Sequence, residues 1–228
     1  MAEPTYILVH GAWHGAWCWR ELGRELDERG VSWRALDLPS SRPDADPSTG
    51  LKGDAAALCD FIVPNESVVL VGHSYGGSVI TEAAASIENL ERLIYIAGFV
   101  PRKGQSTAGA SKENQIRTRL DDAIIPDGEM LRLDPKKAIE ALFHQSPKEL
   151  ASWAVGQLTP QTVRSFRDQR EADSSSVSTA YILCTSDRAV DPDVQAVMAS
   201  RCDENLTLKS DHSPFFSHPS LLANALLA

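Results

Sequence analysis

Short apolar runs rich in β-branched residues alternate along the chain with longer stretches whose apolar residues recur at helical spacing. The runs at 6–10, 32–38, 67–71, 93–99, 180–184 and 206–209 predict six strands. The stretches at 17–29, 51–61, 75–87, 192–200 and 219–227 predict the helices between them. Local punctuation agrees. Gly30 stands where a helix end calls for a left-handed residue, and Asp191-Pro192 reads as an N-cap followed by proline in the first turn. Such alternation buries each strand on both sides, which predicts an α/β fold with a mainly parallel six-stranded sheet and helices on both faces.

The rhythm breaks between 102 and 165. No convincing strand pattern occurs there, and the segments at 136–143 and 148–157 read as polar, amphipathic helices. Charge differs as well: ten Lys and Arg stand against eight Asp and Glu, a net +2 within a chain of net −9. The expected organisation is an α/β core formed by 1–101 and 166–228, with a helical cap (lid) inserted at 102–165 after the fourth strand. Further sheet-covering helices are the alternative. The serines at 174–176 read as the linker from cap back to core.

With 228 residues, 43% of them hydrophobic, one domain with such an insertion has enough apolar material for a full core. The acidic balance argues against a nucleic-acid or anionic-membrane surface. No apolar run approaches the ~20 residues of a membrane span. Glu3 is followed almost at once by the first strand, so no secretory leader is expected. Cys18, Cys59, Cys184 and Cys202 lie apart without a C-x-x-C pair, which points to reduced thiols and a cytoplasmic location.

Candidate chemistry centres on Gly72-His73-Ser74-Tyr75-Gly76. The pentapeptide follows the run at 67–71 and opens the helix at 75–87, so its G-x-S-x-G pattern falls on a strand-to-helix corner. A corner this tight leaves no space for side chains at the flanking glycines and lifts the serine hydroxyl clear of the sheet edge. The helix N-terminus beside it favours developing negative charge. An ordinary serine in a turn is the plain alternative.

A serine hydroxyl is a poor nucleophile until a base takes its proton. His212 fits that role, because it follows the last strand in a loop on the same sheet edge as Ser74, where open α/β sheets place their sites. His73 adjoins Ser74 too closely, His144 falls in the cap and His218 opens the last helix. His10 and His14 lie four apart, but the strand ends between them and no third ligand is apparent, so no metal is expected. The base in turn needs a carboxylate to fix its tautomer. Asp187, just past the fifth strand, is the candidate; Asp191 is the rival but reads better as a helix cap, and Asp211 adjoins His212. An oxyanion hole would combine the backbone N–H of Tyr75 with one from the first loop, His10-Gly11-Ala12-Trp13-His14-Gly15-Ala16-Trp17, where Ala12 is the candidate. Trp13, Tyr75, Phe99, Phe143 and Trp153 are candidate pocket walls, with packing in core or cap as the competing role.

The segments His10–Trp19, Gly72–Gly77, Cys184-Thr185-Ser186-Asp187 and Asp211-His212-Ser213-Pro214 together resemble one branch of the α/β-hydrolases. That branch holds plant methylesterases, hydroxynitrile lyases and many small bacterial esterases, and its triad runs in the order Ser, Asp, His. The stretch from Leu142 to Ala154 is similar to the cap of bacterial members. The resemblance covers essentially the whole chain and implies the sheet order 2-1-3-4-5-6. The resembling lyases carry threonine after the first-loop histidine and lysine after the triad histidine. This chain has Gly11 and Ser213 there, the esterase pattern.

The expectation is a cofactor-free carboxylesterase cleaving a small ester or lactone through an acyl-enzyme on Ser74. Its expected partner is that small molecule, with neither nucleic acid nor membrane, and with a homodimer left open. Two alternatives stand beside it: a hydroxynitrile lyase or C–C bond hydrolase using the same triad, and a ligand-binding receptor with a slow triad. Enzymes of this fold that need an aspartate nucleophile are excluded by Ser74.

Overall fold

The computed structural model describes residues 3–112, 116–173 and 175–228. Strand β1 (Thr5–Val9) leads through a 3₁₀ turn (Ala16–Trp19) into α1 (Arg20–Glu28) and β2 (Trp33–Leu36). A second 3₁₀ turn (Pro39–Ser41) precedes α2 (Leu51–Phe61), β3 (Val68–His73), α3 (Tyr75–Ala83) and β4 (Leu90–Ile96). There follow α4 (Thr107–Ser111), α5 (Arg119–Ala123), β5 (Ile124–Asp127), β6 (Met130–Leu133), α6 (Pro135–Leu142), α7 (Lys148–Val155), β7 (Gln161–Thr162) and α8 (Val163–Arg167). The chain closes with β8 (Ser178–Cys184), α9 (Pro192–Ala199), β9 (Glu204–Leu208), α10 (Pro214–Ser217) and α11 (Pro219–Leu226).

Six strands form one sheet in the order β2-β1-β3-β4-β8-β9, with every neighbouring pair parallel. Alternation within the strands divides the core in two. Ile7, Val9, Val68, Leu70, Leu93 and Tyr95 face the layer built with α2, α3 and α9, through Leu58, Val79, Ile80 and Met198. Leu8, Val69, Val71, Ile94 and Ile96 face the opposite layer, where Leu22 and Leu26 of α1 meet Leu222 and Leu226 of α11. Strand β4 starts at Leu90 and ends at Ile96, earlier than the apolar run at 93–99 suggested. Ala97, at φ 44°, turns the chain off the sheet.

Between β4 and β8 the structure corrects the expectation of helices without strands. Helices α6 and α7 are present, but β5, β6 and β7 form a separate antiparallel sheet in that order. The signal was available: Asp127-Gly128, with Gly128 at φ 61°, separates two short apolar runs, as a hairpin turn does. Pro126 masked it, since proline argues against a central strand. It is tolerated because β5 is an edge strand. The linker proposed at 174–176 includes Ser174, which lies outside the described residues.

The corner between β3 and α3 depends on close backbone approach. A Cβ on Gly76 would lie 2.4 Å from the Val9 carbonyl oxygen, and one on Gly72 would lie 2.7 Å from the Gly76 carbonyl oxygen. Neither neighbour is a flexible side-chain end. Gly76→Ala should therefore cost about 3 kcal/mol or more of stability. Gly53→Ala, on the exposed side of α2, should change it by less than about 1 kcal/mol. Urea unfolding midpoints of the two variants check the contrast.

Candidate active site

Ser74 occupies the corner with φ 52° and ψ −119°, a conformation that non-glycine residues rarely adopt. Surrounding backbone holds it there. The Ser74 N–H donates to the Ile96 carbonyl at 3.1 Å, and its own carbonyl accepts from Gly77 N–H and Phe99 N–H, each at 3.0 Å. The first loop lies directly against this corner: a Cβ on Gly11 would lie 2.8 Å from His73 Nδ1 and 2.9 Å from Ser74 Cβ.

His212 and Asp187 meet at the same sheet edge. His212 Nδ1 donates to Asp187 Oδ2 at 2.7 Å, and both side chains are buried. The carboxylate is fully engaged. Its Oδ1 accepts from Ala189 N–H (2.7 Å) and Val190 N–H (3.0 Å), and its Oδ2 also accepts from Gln195 Nε2 at 2.9 Å. Gln195 is locked in turn, accepting from Cys184 N–H at 2.9 Å and donating to the Val190 carbonyl at 2.8 Å. The sequence reading missed it; a lone polar residue on the apolar side of α9, beside Val194 and Met198, was the signal. With the Nδ1 proton committed to Asp187, Nε2 of a neutral His212 is the ring atom left to accept a proton. Asp191 instead caps α9, accepting from Asp193 N–H at 2.9 Å. Asp211 accepts from Ser213 N–H (3.1 Å), Ser217 Oγ (2.8 Å) and Gln145 N–H (2.9 Å).

His73 tethers the corner to the His212 loop. Its Nε2 donates to the His212 carbonyl at 2.8 Å, with ring centroids 4.5 Å apart. Adjacency to Ser74 thus gives His73 a positioning contact.

A cavity of about 260 Å³ opens at Ser74. Ala12, Trp13 and Phe99 line it, together with Leu120 of α5, Ile124 of β5, Leu131 of β6 and Phe166 of α8 from the chain between β4 and β8. Phe143 and Trp153 sit elsewhere. Phe143 packs against His14 and Phe216, and Trp153 packs edge-on to Trp17 beneath the Arg20 guanidinium, so both fasten α6 and α7 to the core. The Tyr75 side chain also points away, donating through its hydroxyl to Asp54 Oδ2 at 2.6 Å. Among the described residues, no three His, Cys, Asp or Glu side chains are grouped to hold a metal ion. No helix of the described chain is long and apolar enough to cross a membrane.

Residues 6–225 match the model of the alpha/beta hydrolase family. The chain belongs to that family. Among its relatives, Methylesterase 17 of Arabidopsis thaliana is 29% identical, with 98% of this chain and 90% of that protein aligned. The structure of the Arabidopsis methylesterase MES16 superposes with a TM-score of 0.81 at 27% identity, covering 99% of this chain and 98% of that one. A pyrethroid hydrolase from Sphingobium faniae JZ-2 shares the fold, with a TM-score of 0.88 at 23% identity over 98% and 96% of the two chains.

This alpha/beta hydrolase keeps three histidines buried and uncharged around its site. Burial pushes His10 down to about 4 and His14 down to about 3, and holds His73 well below the usual imidazole range. Their bonds suit the neutral ring: His10 Nδ1 donates to the Gly11 carbonyl at 2.8 Å, while its Nε2 accepts from Leu38 N–H at 3.0 Å. Unfolded, each ring titrates near the ordinary value of about 6.5, so below that pH the unfolded chain binds more protons than the folded one. Stability therefore falls as pH drops from about 6.5 towards 4, by up to about 1.4 kcal/mol per pH unit for each ring. His14→Phe keeps an aromatic ring beside Trp17 and Phe143 but removes one titrating group. The stability lost between pH 7 and pH 5, measured by urea unfolding, should shrink by about 2 kcal/mol in that variant.

Proposed function

We propose that the protein is a carboxylic ester hydrolase in which Ser74 is the nucleophile, His212 the general base and Asp187 the residue that orients it. The observation that carries this reading is the buried His212–Asp187 hydrogen bond of 2.7 Å, tethered through His73 to the corner that bears Ser74. Ser74 Oγ attacks the ester carbonyl carbon as its proton passes to His212 Nε2. The carbonyl oxygen becomes an oxyanion, received by the backbone N–H groups of Ala12 and Tyr75. Tyr75 is the first residue of α3, so its N–H has no partner within the helix. Collapse of the tetrahedral intermediate breaks the C–O bond, and His212 returns the proton to the departing alcohol. A water deprotonated by His212 then attacks the acyl-enzyme and releases the acid. No step calls for a cofactor.

The methylesterase relatives support an ester of a small molecule as substrate. The cavity's apolar wall and modest volume support one with an apolar acyl or aryl part. Residues 102–165 serve as the cap that closes this cavity from above. Ser213 directly follows His212, where a cation would be wanted to hold a departing cyanide, and this favours hydrolysis over nitrile elimination. The four cysteines are free thiols, which supports a reducing, cytoplasmic setting.

Ser74→Ala should lower kcat for p-nitrophenyl acetate by ~10⁴-fold or more while leaving the urea midpoint near that of the parent. Activity within tenfold of the parent would overturn the assignment. Asp187→Asn should lower kcat by ~10³-fold or more, since the base then loses its tautomer, whereas Asp191→Asn should stay within about tenfold. Parallel kinetics on the two variants decide which carboxylate serves His212.

A further inference from the structure

Behind the two proposed oxyanion donors runs a buried polar chain that the hydrolysis steps do not use. Gln161, in β7, is completely buried. Its Oε1 accepts from Trp13 N–H at 3.2 Å, and its Nε2 donates to Ser40 Oγ at 2.7 Å and Ser165 Oγ at 2.8 Å. Each hydroxyl passes its own proton on: Ser165 to the Thr162 carbonyl at 2.7 Å, and Ser40 to Asp54 Oδ2 at 2.5 Å. Asp54, also buried, accepts further from Ser40 N–H at 2.9 Å and from the Tyr75 hydroxyl at 2.6 Å. Every donor and acceptor in this path has one consistent direction, so the amide of Gln161 has a single orientation that satisfies it.

The two ends of the path are telling. Trp13 follows Ala12 and holds φ at 62°, a left-handed conformation that strains a bulky residue. Besides the Gln161 bond, its carbonyl accepts from Thr159 N–H at 3.0 Å, and its indole Nε1 donates to the Leu131 carbonyl at 2.9 Å. The strained residue beside one donor is thus gripped by β6, β7 and the segment before β7. At the other end, the hydroxyl of Tyr75 anchors the residue whose backbone N–H is the second donor.

We propose that Gln161 is a positioning residue for the oxyanion hole, holding Ala12 and Tyr75 in register through Trp13, Ser40 and Asp54. The inference rests on the esterase reading above. Its consequence is that the 102–165 insertion does more than cover the cavity, because it sets the geometry in which negative charge is received. Donors preorganised in this way act in the transition state and hardly at all on the bound ester.

The test compares Gln161→Met, Tyr75→Phe and the double variant with the parent, using p-nitrophenyl acetate and an aryl trifluoromethyl ketone, which forms a tetrahedral oxyanion adduct with the serine. In each single variant kcat should fall about 10- to 100-fold with KM within about threefold, and the ketone's inhibition constant should rise by the same factor as kcat falls. The double variant should lose little more than the worse single one, because both changes cut the same chain. If Gln161→Met does not fold, Tyr75→Phe, which removes one hydroxyl, carries the test alone. Folded variants with kcat and ketone affinity within twofold of the parent would overturn the proposal, as would equal losses in kcat/KM arising from KM alone. A parent enzyme without Ser74-dependent turnover would instead sink the esterase reading.

Discussion

The backbone of Ser74 is the constraint on which the rest of the site depends. A serine at φ 52° is strained, and it persists because three segments close on it without side chains in between. β1 passes over Gly76, the first loop passes over His73 and Ser74 at Gly11, and the chain leaving β4 binds both the amide and the carbonyl of Ser74. These approaches are possible only in the middle of the parallel sheet, where β3 has β1 on one side and β4 on the other. The same arrangement starts α3 at Tyr75, so the strain, the place of Ser74 on the cavity wall and the helix N-terminus share one cause.

Around that corner the protein commits two sets of buried polar groups. Asp187 is surrounded by donors from its own loop, Gln195 and His212. A carboxylate so fully bonded is fixed in place and leaves His212 one orientation. His10, His14 and His73 are held neutral by burial and bond to backbone carbonyls, whereas His212, the proposed base, is paired with a carboxylate.

The α/β alternation and the residues at its strand ends were legible because they obey local rules: β-branched runs for strands, glycines at a tight corner, and a loop histidine and aspartate after successive strands. The order of the strands came from resemblance, since spacing does not encode which strands pair. The antiparallel β5–β7 sheet was obscured by Pro126 and by strands of four residues or fewer, although Asp127-Gly128 marked its hairpin. Aromatic residues were ambiguous for a physical reason. Trp13 and Phe99 reach the cavity while Phe143 and Trp153 reach one another's neighbours in the layer beneath, and hydrophobicity alone does not distinguish these destinations. Gln161, Gln195 and Asp54 carry no motif. They become visible only when folding places their polar atoms among other buried ones.

Covalent capture tests the central claim most directly. Incubation with a fluorophosphonate, followed by intact-mass and peptide mass spectrometry, should show one adduct per chain, located on Ser74, with ester turnover falling in step with its formation. An adduct on another residue that abolishes turnover, or complete modification of Ser74 that leaves turnover intact, would contradict the account.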